Sequence, residues 1–223
     1  MHHQPKNTSP IAPSFDPIVL PKLLEGSRAD LVPSAQLDGM TFEGVEIDQL
    51  DLSNSVVEAS RFGSLRSADA SLRGSVLGDV VFTSVDIPIV RAARSRWRDV
   101  RFEGGRVGSA EFYDSDWSSV HFVGCKLTFV NLRGSDLRDV AFTDCIIDEL
   151  DTSEANIVRL ALPGTRLRRL DVSNATLAHV DLRNSAFDEI TGVASLRGAV
   201  IDEHQLTLLA PLLARQIGLT VEG

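Results

Sequence analysis

Residues 95–142 read SRWRDVRFEGGRVGSAEFYDSDWSSVHFVGCKLTFVNLRGSDLRDVAF. At every fifth position of this stretch stands a large apolar residue: Trp97, Phe102, Val107, Phe112, Trp117, Phe122, Leu127, Leu132, Leu137 and Phe142. The frame extends without insertion back to Leu37 and on to Phe187, and only Ser67, Ala92 and Thr152 are weak members. Two residues before each large member lies a second register of small or aliphatic residues, from Ser75, Val80 and Val85 through to Ser185 and Ile190. Residues two apart share one side of an extended segment, so both registers face inward while the polar residues between and after them face out. Five is the period of neither a helix nor a flat strand. A short strand followed by a turn, repeated, coils the chain into a solenoid.

Residue types recur at a longer interval that sets the size of a coil. Phe42, Phe62, Phe82, Phe102, Phe122 and Phe142 are twenty residues apart, as are Trp97 and Trp117, and Cys125 and Cys145. Ser55, Ser75, Ser95, Ser115 and Ser135 repeat the same interval and continue into Ala155 and Ala175. Four pentapeptides therefore make one coil with four faces, and large Phe beside small Ser or Ala fills a narrow interior without overlap. Buried Ser hydroxyls have turn carbonyls to bond. Cys125 and Cys145 fall in one inward column on neighbouring coils and read as structural thiols.

The segments SDLRD at 135–139, VNLRG at 130–134, VDLRN at 180–184 and ANIVR at 155–159 resemble the pentapeptide-repeat family, whose motif is a small residue, then Asp or Asn, then Leu or Phe, then two variable residues. LDTSE at 150–154 departs from it at Thr152. The resemblance covers about three quarters of the chain and implies an all-β solenoid, a right-handed quadrilateral β-helix. The expected organisation is a flexible tail over 1–14, an N-terminal cap over 15–34, about eight coils over 35–200 and a C-terminal helical cap over 201–223. In the N-terminal cap a short helix or turn is expected to end at Gly26.

The C-terminal stretch changes period. Asp202 with Gln205 three residues on forms a capping-box start, and Leu206, Leu209, Leu213 and Ile217 follow at helical spacing. Pro211 is expected to kink or split this helix, and Gly218 to end it. Leu208 and Leu212 fall beside the apolar stripe and are the candidate interface of a homodimer, which the resemblance supports because gyrase-inhibiting members dimerise through their C-terminal ends.

No window approaches 18 apolar residues, and the N-terminus lacks the basic-then-apolar pattern of a secretory signal. A cytoplasmic protein is expected, with no membrane contact and no disulfide framework. The sequence holds no nucleophile elbow, phosphate loop or clustered metal ligands, so no enzyme activity, cofactor or metal is expected. His121 and His179 fall at outward positions and read as surface histidines.

Pro88, Ala92 and Ala93 accompany Arg91, Arg94, Arg96, Arg98 and Arg101, which suggests a local bend or bulge with a solvated, salt-bridged surface. Glu46, Arg66, Asp86 and Arg106 form an alternating-charge column that favours cross-strand ion pairs.

Two functional readings follow. In the first the rod is a protein-interaction scaffold. In the alternative, the chain resembles the quinolone-resistance and mycobacterial members that mimic DNA and bind DNA gyrase or topoisomerase IV, with no direct binding of nucleic acid. The net charge of −9 agrees in sign, and Asp79, Asp99, Asp116, Asp136 and Asp139, placed on one face, are the candidate phosphate substitutes. Duplex DNA of the rod's length of about 38 Å carries roughly 22 charges. Residues 35–200 hold 25 acidic against 18 basic residues, a net −7, and Arg98 and Arg138 share the candidate face.

Overall fold

A computed structural model describes residues 9–220. Within them 18 strands form one continuous parallel sheet that winds about nine times around a single apolar core, and one helix closes the C-terminal end. From Gln36 to Asp171 each strand pairs with the segment twenty residues ahead, as in Phe42↔Phe62, Trp97↔Trp117 and Leu167↔Phe187, and only the last pairing, Val180↔Ala199, is offset by nineteen. The four faces are centred on the inward residues Trp97 (face 1), Phe102 (face 2), Val107 (face 3) and Phe112 (face 4) of one coil.

The inward columns stack as the sequence requires. The Phe rings of face 2 lie nearly parallel with centroids 4.4–5.1 Å apart from Phe42 to Phe142, and Trp97 lies 5.2 Å from Trp117. Parallel in-register strands place identical rings at the strand spacing, so offset stacking comes with the ladder. Buried serines bond locally: Ser75 and Ser95 donate to the carbonyls of Leu72 and Ala92 at 2.7 and 2.6 Å. Cys125 and Cys145 are both free and buried. Hydrogen bonding to Cys145 and burial push the Cys125 thiol up, so it stays protonated.

Three corners of each coil are made by a residue with positive φ. These residues are Asn54, Ala59 and Ser64 in one coil and Asp114, Ser119 and Gly124 in another. The fourth corner, at Asp69, Ile89, Ser109, Phe129 and Glu149, contains none. Left-handed backbone strains residues with a Cβ, least for Asn and Asp, so Gly, Asn, Asp and Ser predominate at the three corners, with Ala59, Arg94, Glu154, Arg159 and His179 as exceptions, while Ile89 and Phe129 are tolerated at the fourth.

No bulge interrupts the Pro88 region. The strand Val76–Arg91 keeps the twenty-residue offset to Arg96–Glu111 throughout. Pro88 lacks a ladder donor, but Gly108 of the next coil packs against it so closely that an added Cβ would lie 2.2 Å from the Pro88 carbonyl oxygen.

Both ends depart from the repeat. At the N-terminal end no helix ends at Gly26. The chain forms a two-residue strand, Leu24–Glu25, in register with Met40–Thr41, and then a 3-10 turn, Arg28–Asp30. Gly26 crosses directly over Phe42, and a Cβ there would lie 2.2 Å from the ring, so glycine lets the backbone itself cover the end of the aromatic column. At the other end the helix α1 (Glu203–Gln216) starts at the Asp202–Gln205 capping box. Pro211 is carried inside one unbroken helix. Residues 1–8, most of the expected tail, and 221–223 lie outside the described residues.

Candidate functional site

The five candidate aspartates do not form one acidic face. Asp79, Asp99 and Asp139 are corner residues between faces 1 and 2, each with φ of 53–54°. Asp116 and Asp136 lie within the strands of face 1, stacked on adjacent coils and exposed. Cations lie beside most of them. Arg98 lies 3.9 Å from Asp79 and 3.8 Å from Asp99, and Arg96 lies 3.9 Å from Asp116. Asp139 is withdrawn from solvent altogether, at 7% exposure. Its carboxylate takes two bonds from the Arg159 guanidinium, and this pairing holds it below the usual carboxylate range. The signal that singled out Asp79, Asp99 and Asp139 was therefore the left-handed corner, which Asp tolerates, and not a need for surface charge.

What occupies this corner is the chain's own N-terminal segment. Ile11 donates its backbone N–H to Nδ1 of His179 (3.3 Å), Ser14 donates to Asp139 (3.1 Å), Phe15 stacks on the His121 ring (4.6 Å, 17°), and Pro21 lies beside Gly39. His179 and Gly39 are seven coils apart, about 34 Å at ~4.8 Å per coil. The ten steps from Ile11 to Pro21 cover about 33 Å only if almost fully extended. Residues 11–14 are thus no free tail; they belong to a taut strap along most of the rod. Pro10, Pro13, Pro17 and Pro21 suit that role, because proline favours extended backbone and lacks the N–H needed to join the sheet.

Beneath the strap the outward column of face 2 is altered from a solvated ladder. Val81 and Ala141 point outward yet are 7% and 4% exposed. His121 is no surface histidine. Arg101 donates to its Nδ1 at 3.1 Å, which fixes the neutral tautomer, and its Nε2–H reaches Thr143 Oγ1 at 2.8 Å. Arg101 is itself tied to Glu103 at 2.6 Å. Burial, and then the Arg101 charge, lower the His121 pKa to about 4. Between strap and coil runs a groove of about 390 Å³ lined by Phe15, Ile18, Arg61, Asp99, Arg101 and His121.

Residues 115–191 match the family model for the pentapeptide repeat region, and the register observed there continues unbroken back to Gln36. Residues 115–191 are a pentapeptide repeat region. No curated protein matches it in sequence. Among solved structures it is similar to HetL, a pentapeptide repeat protein involved in heterocyst differentiation regulation from the cyanobacterium Nostoc sp. strain PCC 7120. The identity is 16% over 77% of this chain and 91% of HetL, with a TM-score of 0.45. It is also similar to a trypsin-treated form of QnrB1, a plasmid-mediated fluoroquinolone resistance protein, at 18% identity over 89% of this chain and 95% of that one, TM-score 0.43.

Elsewhere on the rod the five clustered arginines are all paired. Arg91 meets Asp69, Arg94 meets Asp114, and Arg101 meets Glu103, besides the pairs of Arg96 and Arg98 above. In the alternating column the register is Glu46–Arg66–Asp86–Arg106 as read, with a direct bridge of 2.9 Å between Arg66 and Glu46. No group of three His, Cys, Asp or Glu able to hold a metal occurs among the described residues, and no described helix is long and apolar enough to cross a membrane.

The C-terminal helix meets the last coil with a face rotated from the expected one. Gln205 and Leu209 are buried, and Leu212 and Leu213 are half-buried against the core, whereas Leu206 and Ile217 are exposed. Gln205 Nε2 donates to the carbonyl of Leu182, which Ser185 also bonds, and to that of Ser185, which no further coil satisfies. Of the two candidate interface residues, Leu208 is exposed at 48% and Leu212 packs inward.

Proposed function

We propose that this protein is a non-enzymatic interaction scaffold, a stiff rod that presents side chains to a protein partner at fixed spacing. The observation that carries the reading is the pairing of opposite charges along its ladders, which leaves a patchwork where DNA mimicry calls for a continuous negative stripe. Two free buried cysteines suit a reducing cytoplasm. The test is affinity capture by the purified rod from its own host's lysate, with the capture repeated after Arg66→Glu and Asp116→Arg, which alter two faces without touching the core. A partner lost on one substitution and kept on the other maps the face; no captured protein on either sinks the reading.

Asp116 and Asp136, adjacent and exposed on one ladder, favour gyrase or topoisomerase IV mimicry as a second reading, together with the net charge of −9. It requires salt-sensitive inhibition of supercoiling by the intact protein that weakens when both residues become Asn. We also assign Leu208, with Leu206, to a two-fold contact between C-terminal ends. Leu208→Asp should then give a soluble monomer by light scattering, and an unchanged mass would remove the dimer.

A further inference from the structure

The strap occupies its seat in a way that another chain could reproduce. It contributes nothing to the sheet ladder: along residues 11–18 its described polar contacts are the N–H groups of Ile11 and Ser14, and its anchor is the Phe15 ring on His121. The coils beneath hold their twenty-residue register through ladder bonds that all run between coils and do not involve the strap. The seat is specific all the same. A carboxylate acceptor at Asp139 and an imidazole acceptor at His179 are set along the corner, and the His121 ring with Val81 and Ala141 lies in the adjoining outward column of face 2. The groove beside Phe15 leaves room on the same surface.

We infer that this corner between faces 1 and 2 is a docking track for an extended, proline-spaced segment of a partner protein, with an aromatic residue seated on His121, and that the strap of residues 9–23 is its built-in competitor. Extended proline-containing segments bind with little further loss of backbone freedom, and stacking on a half-buried ring supplies the anchor. Tethering gives the strap a high effective concentration over its seat, so a partner segment gains access when the strap's hold is weakened or when the partner brings contacts on a neighbouring face. The inference rests on the scaffold reading and names the surface that reading leaves open.

The test uses the full chain and a fluorescent peptide of its own residues 9–20 as the probe. Anisotropy titrations compare the wild type with Phe15→Ala, which removes the strap's ring, and with Phe15→Ala combined with His121→Ala. The peptide should bind Phe15→Ala about tenfold more tightly than wild type, and the double variant should lose that gain. Hydrogen exchange of residues 11–18 reports whether the strap has been released, and Phe15→Ala with Ser14→Pro releases it further by deleting the donor to Asp139. A released strap with no gain in peptide binding overturns the inference, as does binding indifferent to His121, or a strap that stays protected in both variants. Because the probe is the chain's own segment, peptide binding without any captured partner would remove the scaffold function alone, and a captured partner insensitive to Phe15→Ala and His121→Ala would remove this track alone.

Discussion

The corner that carries Asp79, Asp99 and Asp139 and the corner that carries Ile89 and Phe129 belong to the same coils and turn the same chain, yet they select residues by different rules. At the first, the backbone is left-handed and the side chain is chosen for tolerating it. At the second, no residue has positive φ, and a β-branched or aromatic side chain costs nothing there. An aspartate at the first corner therefore reports backbone geometry before it reports charge. That is why three of the five candidate aspartates proved to be corner residues, each lying beside an arginine.

Exchanging residue types between these corners gives the largest effect. Asp139→Ile forces a β-branched residue into φ 54° and deprives Arg159 and the Ser14 N–H of their acceptor. A loss of about 3 kcal/mol is expected, as about 1–2 from the left-handed backbone and about 1–2 from the lost hydrogen bonds. Ile89→Asn, at the other corner and 37% exposed, places no second carboxylate opposite Asp69 and should cost no more than about 1 kcal/mol. Urea midpoints of the two variants decide it: equal losses would mean that the corners do not differ as described.

Glycine sharpens the same contrast at smaller scale. Asp79→Gly should be neutral or stabilise by up to about 1 kcal/mol, since relief of left-handed strain outweighs the added unfolded-state freedom. Ile89→Gly should destabilise by about 1 kcal/mol, having no strain to relieve. Opposite signs support the assignment, whereas a shared sign would place both effects in the unfolded chain.

The same distinction explains how much could be read beforehand. The inward columns are strictly periodic, and a period is a property of sequence, so coil length, the Phe and Ser columns and the alternating-charge register were all legible. The strap was not, because its contacts join residues as far apart as Ile11 and His179 and recur nowhere. Its traces were present: Val81 and Ala141 stand in an outward column, and prolines recur at 10, 13, 17 and 21. The start of the C-terminal helix was legible from Asp202 and Gln205. Its buried face was not, because an apolar-stripe argument assumes an apolar floor, and the last coil ends in the Ser185 carbonyl, which calls for the Gln205 amide.

The smallest expected effect on global stability is the most informative about the covered corner. His121 has its pKa lowered to about 4, by burial first and Arg101 second. Glu103 opposes this, and Asp16, Asp99 and Arg61 complete the charged groups lining the groove. Well above the ordinary imidazole pKa of about 6.5 the ring is neutral whether the strap is closed or open, and pH does not bias the strap. As pH falls from about 6.5 towards 4, an opened strap lets His121 take up a proton that the closed one refuses, so opening becomes progressively more favourable; below about 4 both forms are protonated and the bias stops growing. Amide exchange of residues 11–18, corrected for its intrinsic pH dependence, should therefore show weaker protection at pH 5 than at pH 7, while the core strands are unchanged. Phe15→Ala should raise the His121 pKa, read by ring-proton chemical shifts, towards its ordinary value and flatten that dependence. If the pKa stays near 4 without the Phe15 ring, the depression comes from Arg101 and the coil itself, and the strap is a passive cover whose opening protons do not govern.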